Sequence, residues 1–122
     1  MITQSEKVRE GHDDERRTLR QIFNGDFTAR QLLTLETKTD CLLGGHFHEY
    51  GEIWYVFRGE LRYELTNIDT EERQSVILSP GDRIRIPPRI YHKAYAKKGT
   101  IILGVTEEKF VNEEKNNLKY YL

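Results

Sequence analysis

His46 and His48 stand one residue apart, Glu52 follows four residues later, and Gly59 lies seven beyond that. This spacing restricts the backbone that can carry it. On an extended strand alternate side chains share a face, so the two imidazoles project together. A turn at Tyr50-Gly51 followed by a returning strand lets Glu52 swing in to join them. Two imidazoles and a carboxylate converging from a rigid sheet suit one divalent transition metal, whether zinc, iron, manganese, nickel or cobalt.

A fourth candidate ligand, His92, lies downstream in the stretch from Ser79 through Pro80-Gly81-Asp82 and Pro87-Pro88. With it the pattern reads His-x-His-x3-Glu-x6-Gly, then Pro-Gly-Asp-x4-Pro-Pro-x3-His. These two motifs resemble the two signature motifs of the cupin superfamily, and the resemblance covers residues 40 to 106. It implies an all-β fold, a double-stranded β-helix or jelly-roll barrel, and a metal held by His46, His48, Glu52 and His92. Two positions depart from the family pattern. Arg89 stands where glycine is usual, and Ala96 where asparagine is frequent.

The pattern along the rest of the chain agrees with many short strands. Glu52 to Phe57 is rich in aromatic and β-branched residues, and Arg58-Gly59 reads as a tight hairpin turn into Glu60 to Thr66. There Leu61, Tyr63 and Leu65 alternate with Arg62, Glu64 and Thr66, as in a strand with one buried side. Residues 31–37, 75–78, 83–86, 91–96 and 100–106 read as further strands, and residues 19–23 as another ahead of the Asn24-Gly25-Asp26 turn. Regularly spaced short strands indicate a sandwich or barrel. The expected organisation is a charged arm over residues 1–17, a barrel over 18–106 and a tail over 107–122. The arm reads first as solvated and poorly ordered, and alternatively as a strand that pairs with a partner subunit, as in many cupin dimers. His12 within it has no partner at ligand spacing and is expected to face solvent. The tail is either mobile or folds its apolar end, Leu118 to Leu122, back across the barrel or a neighbouring subunit.

Composition excludes several classes. Nineteen Lys and Arg oppose twenty Asp and Glu, a net charge of −1, with no basic run clear of acidic neighbours. That speaks against nucleic acid or an anionic membrane as the main partner. No stretch reads as a membrane span or signal peptide. The single cysteine, Cys41, rules out an intramolecular disulfide and reads as a small, buried hydrophobe. The expected location is the cytoplasm, and the expected assembly a homodimer.

Strand alternation from Glu52 places Trp54 and Val56 on the cavity side and Ile53, Tyr55 and Phe57 opposite. Trp54 is thus a candidate to stack on a sugar ring, or a plain core aromatic. Arg62 and Arg85 are candidate substrate-binding residues for a carboxylate or phosphate, or merely solvated. Tyr50 and Tyr91 are the candidate catalytic groups.

Three functions fit, since fold alone does not select among them. The first is a metal-dependent isomerase or epimerase of a sugar or sugar derivative. The aromatic strand after His-x-His-x3-Glu and the Pro-Pro before His92 are similar to sugar-isomerising cupins. Asp14-Glu15-Arg16-Arg17 resembles the opening of cupin enzymes of deoxysugar and polysaccharide synthesis, without their glycine after the arginine. The second is an iron-dependent dioxygenase using the open coordination positions. The third is a non-catalytic cupin that holds a small ligand.

Overall fold

The computed structural model describes residues 1–120. Its strands are β1 (Ser5–Lys7), β2 (Glu10–Asp13), β3 (Thr18–Arg20), β4 (Gln31–Glu36), β5 (Cys41–His46) and β6 (Glu52–Arg58). They continue as β7 (Leu61–Asn67), β8 (Arg73–Leu78), β9 (Asp82–Ile86), β10 (Ile90–Ala96) and β11 (Ile101–Thr106), before a single helical turn, α1 (Glu113–Asn116). Two antiparallel sheets face one another, one ordered β1-β9-β6-β11-β4 and the other β5-β10-β7-β8. From β4 onward the chain switches sheet at every connection except β7–β8 and is a jelly-roll barrel.

Alternation along the strands fills the space between the sheets. Val56, Leu61, Leu65, Leu78, Ile84, Ile86 and Ile102 are each at most 2% exposed and form one contiguous core. Such side chains contribute roughly 1.5–3 kcal/mol each on burial.

The connections and the two chain ends depart in places from expectation. Gly59 does not turn a hairpin. β6 pairs with β9 and β11, and β7 pairs with β8 and β10, so Arg58-Gly59 is a corner between sheets. Gly59 has φ +93°, and a Cβ there would run into the backbone and side chain of Thr100, a fully buried residue. The turn chemistry was legible, whereas the destination of the next strand depends on pairing partners far along the chain.

The N-terminal arm is not loose. β1 pairs with β9, and Gln74 accepts the N–H groups of Ile2 and Thr3 at 2.8 and 3.0 Å. Glu6 receives Arg83 at 2.6 Å, and Lys7 meets Asp82 at 2.9 Å. Charge there is neutralised by the neighbouring strand, and backbone ladder bonds do not depend on side-chain polarity. β1 is thus an edge strand of the larger sheet. Among the described residues β2 and β3 pair only with each other, and both are exposed. Past Arg20 the expected strand ends, because Ile22 and Phe23 turn inward with Phe27 to cover Ile53 and Val105 on the outside of the larger sheet.

The tail, finally, folds back. Phe47 and Leu118 exchange backbone hydrogen bonds of 3.0 and 2.9 Å, so of the two readings the structure takes the second. The last part of that expected apolar end, Tyr121 and Leu122, lies outside the described residues. No helix among the described residues is long and apolar enough to cross a membrane.

Candidate metal centre

His46 ends β5, His92 lies on β10 directly opposite it, and Glu52 opens β6 in the facing sheet. The approach of β5 to β10 depends on Gly44. Its φ is +79°, the ladder bulges between His92 and Lys93, and a Cβ on Gly44 would sit 2.9 Å from the His92 carbonyl. His48 follows on the loop, its carbonyl accepting from the Arg89 N–H at 2.8 Å. Arg89, standing in the usual glycine position, takes φ +65° and so keeps a glycine-like turn. Its guanidinium pairs with Asp69 and Glu49.

The three imidazoles converge. Their rings lie 4.7 to 5.1 Å apart between centroids, and one nitrogen from each falls within 4.8 Å of the others. Glu52 is 2% exposed, with Oε1 3.3 Å from His92 Nε2 and Oε2 3.6 Å from His48 Nε2. The remaining ring nitrogens settle the tautomers. His48 Nδ1 donates to the Asn116 carbonyl at 2.6 Å, and His92 Nδ1 to the Ile90 carbonyl at 3.0 Å. Both Nε2 atoms therefore present lone pairs toward the carboxylate.

Electrostatics sharpen the conflict. Burial, assisted by the neighbouring rings, pulls His46 down to about 3. Burial likewise pulls His92 down to about 4, against the Ile90 hydrogen bond. His48 is also lowered, mainly by burial, with Glu52 and the Asn116 carbonyl opposing. Burial raises Glu52, and His48 and the Trp54 indole N–H oppose that rise. Neutral imidazoles thus face a carboxylate whose Oε1 is fully buried without a hydrogen-bond partner. Acceptors aimed at one another in a dry site call for a cation or a shared proton between them. The three imidazole nitrogens are close enough to hold a divalent transition ion, with Glu52 beside His48 and His92.

The cluster forms one wall of a cavity of about 140 Å³, completed by Leu35, Leu43, Gly44, Trp54, Tyr63, Ala94 and Ile102. Trp54 reaches the cavity as strand alternation implies, while Val56 lies deeper in the core. The other candidates are placed elsewhere. Arg62 lies on the outer face, over the Tyr95 ring at 4.6 Å and beside Glu64 at 3.2 Å. Arg85 also points outward, over Phe27 and onto the Asp26 carbonyl. Each is one residue out of phase with an inward neighbour, Tyr63 and Ile84, so neither meets a ligand at the histidines. Tyr91 is out of phase with His92 and borders an outer-face groove with Arg73 and Lys93. Tyr50 stacks on His48 at 4.8 Å and flanks the imidazole, outside the cavity lining. A shallower groove of about 480 Å³ around Cys41 and Tyr95 holds none of the cluster, and Cys41 is half-buried there instead of enclosed.

Two cavity-side contributors escaped the sequence reading. Tyr63 lines the cavity, and burial and the nearby Glu52 carboxylate push its phenol well above the ordinary range. Its alternation with Arg62 and Glu64 was the available signal. Asn116 reaches His48 from the tail, for which no sequence pattern spoke.

A jelly-roll barrel with an imidazole–carboxylate cluster walling its interior defines the class. A family model described as Cupin domain matches residues 35–105, and the chain belongs to that family. Among curated proteins none matches the sequence. Solved structures show the same fold. A mutant of the 3,4-ketoisomerase QdtA from Thermoanaerobacterium thermosaccharolyticum, in complex with TDP-4-keto-6-deoxyglucose, has TM-score 0.80 at 16% identity, covering 98% of this chain and 88% of its own. WlaRA, a TDP-fucose-3,4-ketoisomerase from Campylobacter jejuni, gives 0.78 at 17%, covering 94% and 87%. The dTDP-4-dehydrorhamnose 3,5-epimerase of Bacillus anthracis gives 0.79 at 13%, covering 93% and 76%.

Proposed function

We propose that this cupin is an isomerase or epimerase of a sugar or sugar derivative, working at a divalent transition metal held by His46, His48, Glu52 and His92. The observation that carries the proposal is the buried Glu52 carboxylate, unpartnered at Oε1 and faced by imidazole lone pairs. Bound there, the ion supplies a Lewis acid for a substrate carbonyl. The chain supplies the rest. Leu35, Leu43, Ala94 and Ile102 exclude water from the inner cavity, and Trp54 offers a flat aromatic edge to a ring. Tyr63 keeps its phenolic proton at neutral pH beside the cluster and is the group placed to hold a proton near the carbonyl. The cavity admits only the reacting part of a substrate, leaving any larger substituent outside. The structural likeness to TDP-sugar ketoisomerases and epimerases supports the same reading.

Elemental analysis of the protein purified without added metal is expected to find about one transition-metal ion per chain. Incubation of the loaded protein with TDP-4-keto-6-deoxyglucose in deuterium oxide is expected to place deuterium on a carbon next to the carbonyl. Absence of exchange across keto-sugar nucleotides would overturn the isomerase reading. The apolar half of the cavity favours one alternative, an iron-dependent dioxygenase acting on a small apolar substrate. Oxygen uptake confined to the iron-loaded protein would select it. Tight retention of a small ligand without turnover would select a binding role.

A further inference from the structure

We infer that Asn116 is a positioning residue of the site, its main-chain carbonyl holding His48 in the orientation that aims Nε2 into the cavity. A carbonyl only accepts, so the 2.6 Å contact fixes the His48 proton on Nδ1 and frees Nε2 toward Glu52. Nothing within β5 or its loop supplies that acceptor. The C-terminal segment does, and it is built to keep it there.

Asn116 is 4% exposed, and both ends of its side chain are engaged. Oδ1 accepts from the N–H groups of Val111 and Asn112 at 2.8 and 3.1 Å. Nδ2 donates to the Tyr50 hydroxyl and the Lys109 carbonyl, each at 3.1 Å. The segment is therefore folded around this one amide, which also ties it to Tyr50, whose ring lies against His48. Two residues on, Leu118 pairs with Phe47 on the other side of the histidine. Tail and histidine loop are thus joined before, at and after His48. An aspartate would lose both donor bonds, and an alanine all four.

His92 provides an internal control. Its Nδ1 partner is the Ile90 carbonyl two residues earlier on the same strand, so its orientation does not involve the tail. Disturbing Asn116 should then release His48 and leave His92 untouched. A tail that merely packed on the barrel would alter neither ring, or would loosen both.

The test needs no substrate, so it stands or fails apart from the isomerase reading. Long-range proton–nitrogen NMR on the metal-stripped full-length protein at pH 8 reports which ring nitrogen carries the proton. The wild type is expected to show Nδ1-protonated His48 and His92, with peaks assigned by their loss in His48→Gln and His92→Gln. In Asn116→Ala the His48 signals should shift toward mixed tautomers while those of His92 stay, and zinc affinity should fall about 10- to 100-fold. Tyr50→Phe removes one anchor of the amide and should shift His48 in the same sense by less, which serves should Asn116→Ala fail to fold. Protonation of His48 on Nε2 in the wild type would overturn the inference. So would an Asn116→Ala protein with unchanged His48 signals and zinc affinity within about twofold, or one in which both rings move together.

Discussion

Glu52 and Val56 lie on the same strand, on the same inner face, four residues apart, and both are almost fully enclosed. Around Glu52 the barrel interior holds His46, His48 and His92, whereas around Val56 it holds Leu61, Leu78, Ala96 and Ile102. Strand alternation treats the two ends alike, because it buries whatever falls on the inner position. The energetics are opposite. Burial of Val56 stabilises the fold by roughly 1.5–3 kcal/mol. A lone buried carboxylate costs several kcal/mol unless a cation or proton meets it. One end of the barrel holds the fold together, and the other is left electrostatically incomplete by it.

The largest effect should come from the apolar end. Leu78 is fully buried between the sheets. Leu78→Ala is expected to lower unfolding free energy by about 2–5 kcal/mol in urea titrations. The fraction that remains folded should still bind one equivalent of metal. Loss of metal from that fraction would show that the two ends are not separable.

The mirror experiment is His92→Ala. Removing one of four donors should weaken zinc binding on the order of 100-fold while the metal-free protein keeps its secondary structure. His48→Ala should behave alike. Full retention of metal in both variants would break the ligand assignment and leave the cluster as polar lining.

A smaller effect should appear in the pH dependence of the metal-stripped protein. His46 and His92, near 3 and 4 when folded, take up protons around 6.5 when unfolded. The unfolded chain then binds more protons throughout that interval. Stability should fall as pH drops from about 6.5 toward 4. Glu52 has the opposite sign, since its folded pKa is raised: its contribution favours the folded state at low pH and is lost as pH rises through that value. Glu52→Gln removes this term, so the stripped variant should equal or exceed the stripped wild type at pH 8. In excess zinc the order should reverse. Urea midpoints at pH 8, 6 and 4.5, with and without zinc, decide it. A stripped Glu52→Gln protein less stable at pH 8 would mean that His48 and the Trp54 indole already offset the burial of the carboxylate.

The two ends were not equally legible. Glu52, Trp54 and Val56 could be placed on one inner face because β6 is a regular strand and period two needs only local sequence. His46, His48 and His92 followed from spacing and family motifs. The corner at Gly59 and the docking of β1 were hidden, because both depend on which distant strand completes the ladder, and turn residues do not encode that. Asn116 was hidden for a related reason: its effect on His48 passes through a backbone carbonyl, which every residue has. Arg62 and Arg85 were picked out by guanidinium chemistry, and strand phase, marked by Tyr63 and Ile84 beside them, puts both on outer faces.

That placement yields the smallest expected effect, which tests inner against outer face rather than one end against the other. Arg62 is half-exposed, lies over Tyr95 and pairs with Glu64 across the outside of the smaller sheet. Exposed cation–π contacts and ion pairs of this kind contribute less than about 1 kcal/mol. Arg62→Ala should therefore shift the urea midpoint only slightly and leave zinc affinity, and any keto-sugar exchange, within about twofold. If exchange instead fell tenfold at unchanged zinc affinity, the outer face would have to take part in holding the substrate. The part of the substrate left outside the 140 Å³ cavity would then have to reach round the strand edge to Arg62. With exchange unchanged, the proposed chemistry stays with the inner positions of β5, β6, β7 and β10 and the loop that carries His48.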